Sequence, residues 1–198
     1  MTFLGWPTEH HRHSSRTEAR RKAIVLRLID KFAETFSEID YDLLWDAPTI
    51  NAQAWRIGDR RGVTVYGGLA RHSAIGVPGI ALMLAHETGH HLGGPPLDPD
   101  WRWATWQGQA DYWAAAEGMP KVFGAKAQRL TLKGCNEMAR LHLDFFRNSE
   151  DAPEISVEER AAIFRAGAMG QPPPACLQMA FERLLQERIS FRSATPEN

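Results

Sequence analysis

The stretch 80–90 constrains this chain more than any other, because six apolar residues (80–85) run straight into His86-Glu87-Thr88-Gly89-His90. Pro78 stands where a first helical turn begins, and Gly93 and Gly94 end the run, so the spacing predicts a central helix between them. On a helix, residues four apart share a face. The imidazoles of His86 and His90 therefore aim at one point, with Glu87 beside them. The chain has 8 histidines, so a chance pair is the competing reading. The apolar run and the helical setting favour a metal pair over a structural one.

Zinc suits two imidazoles at this spacing. With a third protein ligand it leaves one position for water, whose pKa it lowers to about 7. Glu87 is then placed to act as general base and to pass the proton to a leaving amine, which is the chemistry of amide hydrolysis. Tyr112, Arg140 and His142 follow the histidine helix and are candidates to stabilise an oxyanion, although a structural or solvated role is the commoner one for each. His91 points roughly 100° away from His90 and reads as a packed or solvated side chain. His10, His11 and His13 sit in a polar opening segment, 1–14, that reads as flexible.

The rest of the chain bounds what can surround this helix. A length of 198 residues suits one domain, and 43% hydrophobic with 24% charged residues is the profile of a folding globular chain. A net charge of -1 gives no field that would recruit nucleic acid. No apolar run approaches the roughly 20 residues of a membrane span, and no secretory signal is apparent, so the chain reads as cytoplasmic. Cys135 and Cys176 then read as free thiols rather than a pair.

Ser15 with Glu18 forms a capping box ahead of Val25, Leu28, Ile29, Phe32 and Phe36, one stripe of a helix of about six turns. Residues 50–57 and 63–66 read as a hairpin around Gly58 to Gly62. Short helices are predicted over about 107–117, 136–147, 156–167 and 176–189. The expected architecture is α+β: a small antiparallel sheet on a helical core carrying the histidine helix. Trp101, Trp103, Trp106 and Trp113 flank the helix expected over 107–117, where core packing is the commoner use and a substrate pocket the other. The proline-broken connector around Pro95, Pro96 and Pro99 reads as a lid beside the site.

Three segments then occur in one order: Asn51-Ala52-Gln53-Ala54, Val63-Thr64-Val65-Tyr66-Gly67-Gly68-Leu69 and Leu84-Ala85-His86-Glu87-Thr88-Gly89-His90. Over residues 49–117 the chain resembles the gluzincin metallopeptidases that include the CAAX prenyl proteases, the HtpX heat-shock proteases and the minigluzincins. The resemblance implies zinc, a peptide or protein substrate and a hairpin strand that rims the cleft and pairs with an extended peptide. It also implies a third ligand, a glutamate in Glu-x-x-Ala-Asp. This chain has Gln107-Gly108-Gln109-Ala110-Asp111 at that point.

An amide oxygen is a weaker, neutral donor. Gln107 thus reads as a weak third ligand, with Asp111 either an alternative ligand or a partner of a liganding histidine. Two readings from other classes follow. One is a catalytically impaired descendant that binds peptides or proteins. The other is a latent protease whose first thirteen residues fill the cleft.

Overall fold

A computed structural model describes residues 15–146 and 154–194. The polar segment 1–14, with His10, His11 and His13, lies outside them, as do Arg147 and the side chain of Ser15. The chain is α+β, as the sequence predicts. Helix α1 (Ser15–Thr35) is followed by strands β1 (Asp40–Leu44), β2 (Ala52–Ile57) and β3 (Arg60–Tyr66), then α2 (Gly67–Arg71) and the central α3 (Val77–Leu92). After the connector come α4 (Gln107–Trp113), a π-helical turn (Ala114–Gly118), α5 (Met119–Phe123), a 3-10 turn (Gly124–Lys126), α6 (Ala127–Phe146), α7 (Val157–Ala168) and α8 (Ala175–Ala194).

The sheet is mixed rather than purely antiparallel. β2 and β3 form the predicted hairpin, but β1 pairs parallel with β3 and gives the order β1-β3-β2. Asp40-Tyr41-Asp42-Leu43-Leu44 alternates exposed and half-buried residues. Two acids in five residues mask a strand that buries only one face, at the outside of the sheet. β2 is the opposite edge, and it lies next to α3.

α3 is buried along its length from Pro78 to His90, as a helix wrapped by sheet and helices must be. Two glycines set how closely neighbours approach it. A Cβ on Gly89 would stand 2.8 Å from the Ala110 carbonyl oxygen of α4, and one on Gly134 of α6 would stand 2.6 Å from that of Pro78. Only glycine allows these backbones to meet. The first turn of α3 is held from outside: Glu137 of α6 accepts from the N–H groups of Gly76 at 2.9 Å and Gly79 at 2.8 Å. Arg21 of α1 pins the preceding loop by donating to the carbonyls of Ala70, His72 and Ile75.

A carboxylate on otherwise unpaired N–H groups at a helix start satisfies donors and complements the dipole. Glu137→Ala should therefore lower stability by about 1–3 kcal/mol, with a smaller loss for Glu137→Gln, which keeps an acceptor. Urea midpoints of the two variants check this. Equal losses would mean that packing, not capping, is what Glu137 supplies.

The C-terminal half builds a second apolar cluster around Trp106 with Ile155, Ile163, Leu177, Ala180 and Leu184. The Ser156–Glu159 capping box at the start of α7 is present, both reciprocal bonds included. The helix expected from Asn136 begins earlier, at Ala127, and the one expected over 107–117 changes to π-helical geometry after Trp113. Trp106 and Trp113 are core residues, as the commoner reading has it, whereas Trp101 is exposed. The connector is tied to itself: Asp98 accepts from the N–H groups of Asp100 and Trp101, Leu97 bridges Thr105, and Arg188 of α8 pairs with Asp100. Cys135 and Cys176 are both free thiols.

Candidate metal centre

The site begins with what fixes each imidazole. His90 Nδ1 stands 2.7 Å from the Thr105 carbonyl oxygen, and His86 Nδ1 stands 2.7 Å from Asp111 Oδ1. The Thr105 carbonyl takes the Nδ1 proton of His90 and the Asp111 carboxylate lies beside His86 Nδ1, and in neutral rings protonated at Nδ1 each Nε2 presents a lone pair. Those two Nε2 atoms face each other at 3.1 Å. Two lone pairs at that separation repel unless a proton or a metal ion lies between them. Ligands of a tetrahedral zinc at bond lengths of about 2.0–2.1 Å stand roughly 3.3 Å apart, so the spacing fits such an ion closely.

Glu87 completes the convergence. Its Oε1 lies 3.9 Å from His86 Nε2, and its Oε2 lies 4.0 Å from His90 Nε2. Among the described residues His86, Glu87 and His90 form a buried group able to hold a metal ion. Glu87 Oε2 also accepts from the N–H of Ala54 on β2 at 2.7 Å, which ties the edge strand to the carboxyl. Burial pushes the Glu87 carboxyl above the usual range, against the pull of His86 and of that bond. Burial together with the neighbouring His86 holds His90 well below the ordinary histidine value, so it is neutral and its lone pair is available.

Asp111 is a partner of His86 and not part of the convergent group. Besides His86 Nδ1, its two oxygens take Arg160 Nη2 and Nε, each at 2.7 Å. Burial alone would raise its pKa. The Arg160 guanidinium and His86 outweigh that and hold it at about 2. A carboxylate that fixes the Nδ1–H of a liganding histidine sets the ring's tautomer and direction.

Gln107 opens α4, two residues after the carbonyl that holds His90 and one helical turn before the carboxylate that holds His86. Its Oε1 is buried and has no hydrogen-bond partner. An orphaned carbonyl oxygen is costly unless something accepts its lone pairs, which a cation would do. The group able to hold an ion is His86, Glu87 and His90, and the orphaned Gln107 oxygen opens the helix that carries Asp111.

The oxyanion candidates fall in different places. Tyr112 donates its hydroxyl to the Gln171 carbonyl, and Arg140 is exposed and bonds its own helix at Asn136. Neither faces the histidine pair through these contacts. His142 is buried, 3.3 Å from Arg160 Nη1, and burial with that guanidinium takes it down to about 3. His91 is packed as expected, stacked on Trp103 with Nε2 3.0 Å from the Gly62 carbonyl.

Arg160 was not among the sequence candidates. Its signal was a charge at the head of the stripe Arg160, Ile163, Phe164, Gly167, all buried in α7. A cation on the apolar face of a helix needs a buried anion to meet it. Comparison with known protein families, with curated proteins and with solved structures gives no match.

Proposed function

We propose that this protein is a zinc metallopeptidase that hydrolyses peptide bonds, with His86, His90 and Gln107 holding the ion and Glu87 as general base. The observation that carries the reading is the pair of imidazole Nε2 atoms facing at 3.1 Å with a buried carboxyl within 4.0 Å of both. Zinc, when bound, supplies a Lewis acid that polarises a carbonyl and makes water acidic near neutral pH. Glu87 takes a proton on one oxygen while Ala54 N–H steadies the other, and its raised pKa suits both accepting and returning that proton. Asp111 and the Thr105 carbonyl orient the two rings, and Arg160 balances the buried charge of Asp111.

A second reading, a peptide- or protein-binding module with impaired catalysis, is favoured by the neutral amide at Gln107. Zinc titration against a chromophoric chelator, combined with peptide cleavage assays, separates the two. The metallopeptidase binds one zinc per chain and loses cleavage when the ion is stripped. Absence of cleavage from the zinc-loaded protein leaves the binding module. Gln107→Glu should tighten zinc by about tenfold or more, because a carboxylate replaces a neutral donor. Unchanged affinity would remove Gln107 from the ligand set.

A further inference from the structure

The hairpin carries two arginines that the proposed chemistry does not use. Arg56 of β2 and Arg61 of β3 are direct cross-strand partners, two pairs beyond Ala54 and Val63. Ala54 turns its N–H away from β3 to Glu87, so Ala54–Val63 and Arg56–Arg61 are pairs of the non-hydrogen-bonded kind, whose side chains stand closer together. With a period of two, both arginines lie on the sheet face that buries Ala52, Ala54, Val63 and Val65 near α3. Like charges placed opposite each other destabilise a sheet.

Among the described residues no carboxylate relieves this pair. The Arg56 Nε bonds the Gly58 carbonyl, and the ion pair of this region joins Arg60 to Asp40. Arg56 and Arg61 are thus left without a carboxylate partner among the described residues. They also lie close to α3, since His91 Nε2 stands 3.0 Å from the carbonyl of Gly62, the residue next to Arg61.

The backbone supplies a track to them. β2 is an edge strand, and Ala52, Ala54 and Arg56 share the parity that turns N–H and C=O away from β3; Glu87 takes the Ala54 N–H, so the Ala54 carbonyl and the Arg56 N–H and C=O are the groups there that a peptide would pair with. A peptide added to that edge would lie about 4.8 Å away, and its residue opposite Arg56 would point its side chain to the same face as both arginines. That residue would be displaced by roughly 7 Å, two strand positions, from the one opposite Ala54 and Glu87.

We propose that Arg56 and Arg61 form an anion subsite that takes one acidic side chain of an extended peptide lying along β2, two residues from the bond presented to Glu87. The subsite rests on the peptide-processing reading of the metal centre for its place in the reaction, and its own chemistry is tested by binding.

The probes are fluorescein-labelled alanine–valine octapeptides with a single Glu at successive positions, each matched by a Gln and a Lys version. Anisotropy measures their affinity for the Glu87→Gln protein, and chromatography follows their cleavage by the wild type. Glu should be preferred over Gln by about fivefold or more at one register. The preference should vanish in the Arg56→Gln/Arg61→Gln variant and turn toward Lys in Arg56→Glu/Arg61→Glu, with melting curves confirming that both fold.

A preference below twofold everywhere, no measurable binding, or a preference that survives both double substitutions overturns the subsite. Cleavage without acidic preference removes the subsite and leaves hydrolysis standing. Acidic preference in binding without wild-type cleavage removes hydrolysis and leaves the subsite.

Discussion

Glu87→Gln should abolish peptide cleavage by about 10²–10⁴-fold while zinc stays bound within a few-fold of the wild-type affinity. The asymmetry follows from where the carboxyl sits. It is 3.9 and 4.0 Å from the two Nε2 atoms, beside the ion's expected position and not among the nitrogens that define it. Glutamine has the same shape, and its amide oxygen still accepts from Ala54 N–H, so strand and helix keep their contact. What disappears is a group that takes a proton. Cleavage kinetics on a fluorogenic peptide and zinc competition on the same preparation test both halves. Activity within fivefold of wild type would show that the base lies elsewhere, and a collapse of zinc affinity would make Glu87 a ligand.

The residues of the group able to hold a metal ion were legible in the sequence by their own side-chain type. Helical periodicity alone puts His86 and His90 on one face, and the structure brings their Nε2 atoms to 3.1 Å. Asp111 was left open between ligand and partner, because one helix turn from Gln107 permits both. Its meeting with Arg160, 49 residues away, is the contact that the sequence did not show. Contacts made by backbone groups, the Thr105 carbonyl on His90 and the Ala54 N–H on Glu87, leave no trace in residue identity. The same limit hid β1. A strand with alternating acids shows as an edge only once a partner strand is known, and parallel pairing depends on a connection that local pattern does not report. Capping at Ser156 was readable because its whole signal lies within four residues, whereas Glu137 caps α3 from 58 residues away and was not.

Arg160→Met should cost about 3–5 kcal/mol of stability, since it leaves the fully buried Asp111 carboxylate without its guanidinium. It should also weaken zinc by roughly 10–100-fold through loosened control of the His86 ring. Methionine fills similar volume, so the loss reports charge more than cavity. The pH dependence separates these causes. In the wild type the folded Asp111 is held at about 2, below its ordinary value, so its contribution is complete above roughly pH 4 and fades as pH falls toward 2. Without Arg160, burial is the larger influence and the folded carboxyl rises above its unfolded value. The ionised group is then a penalty at neutral pH, relieved as acid protonates it. The gap in urea midpoint between wild type and Arg160→Met should therefore narrow between pH 7 and about pH 5. Adding Asp111→Asn to the variant should recover part of the loss at pH 7, because it removes the stranded charge. A gap that is constant with pH and unmoved by the second substitution would mean that Arg160 stabilises the protein by packing on Phe164 and not by holding the charge that orients His86.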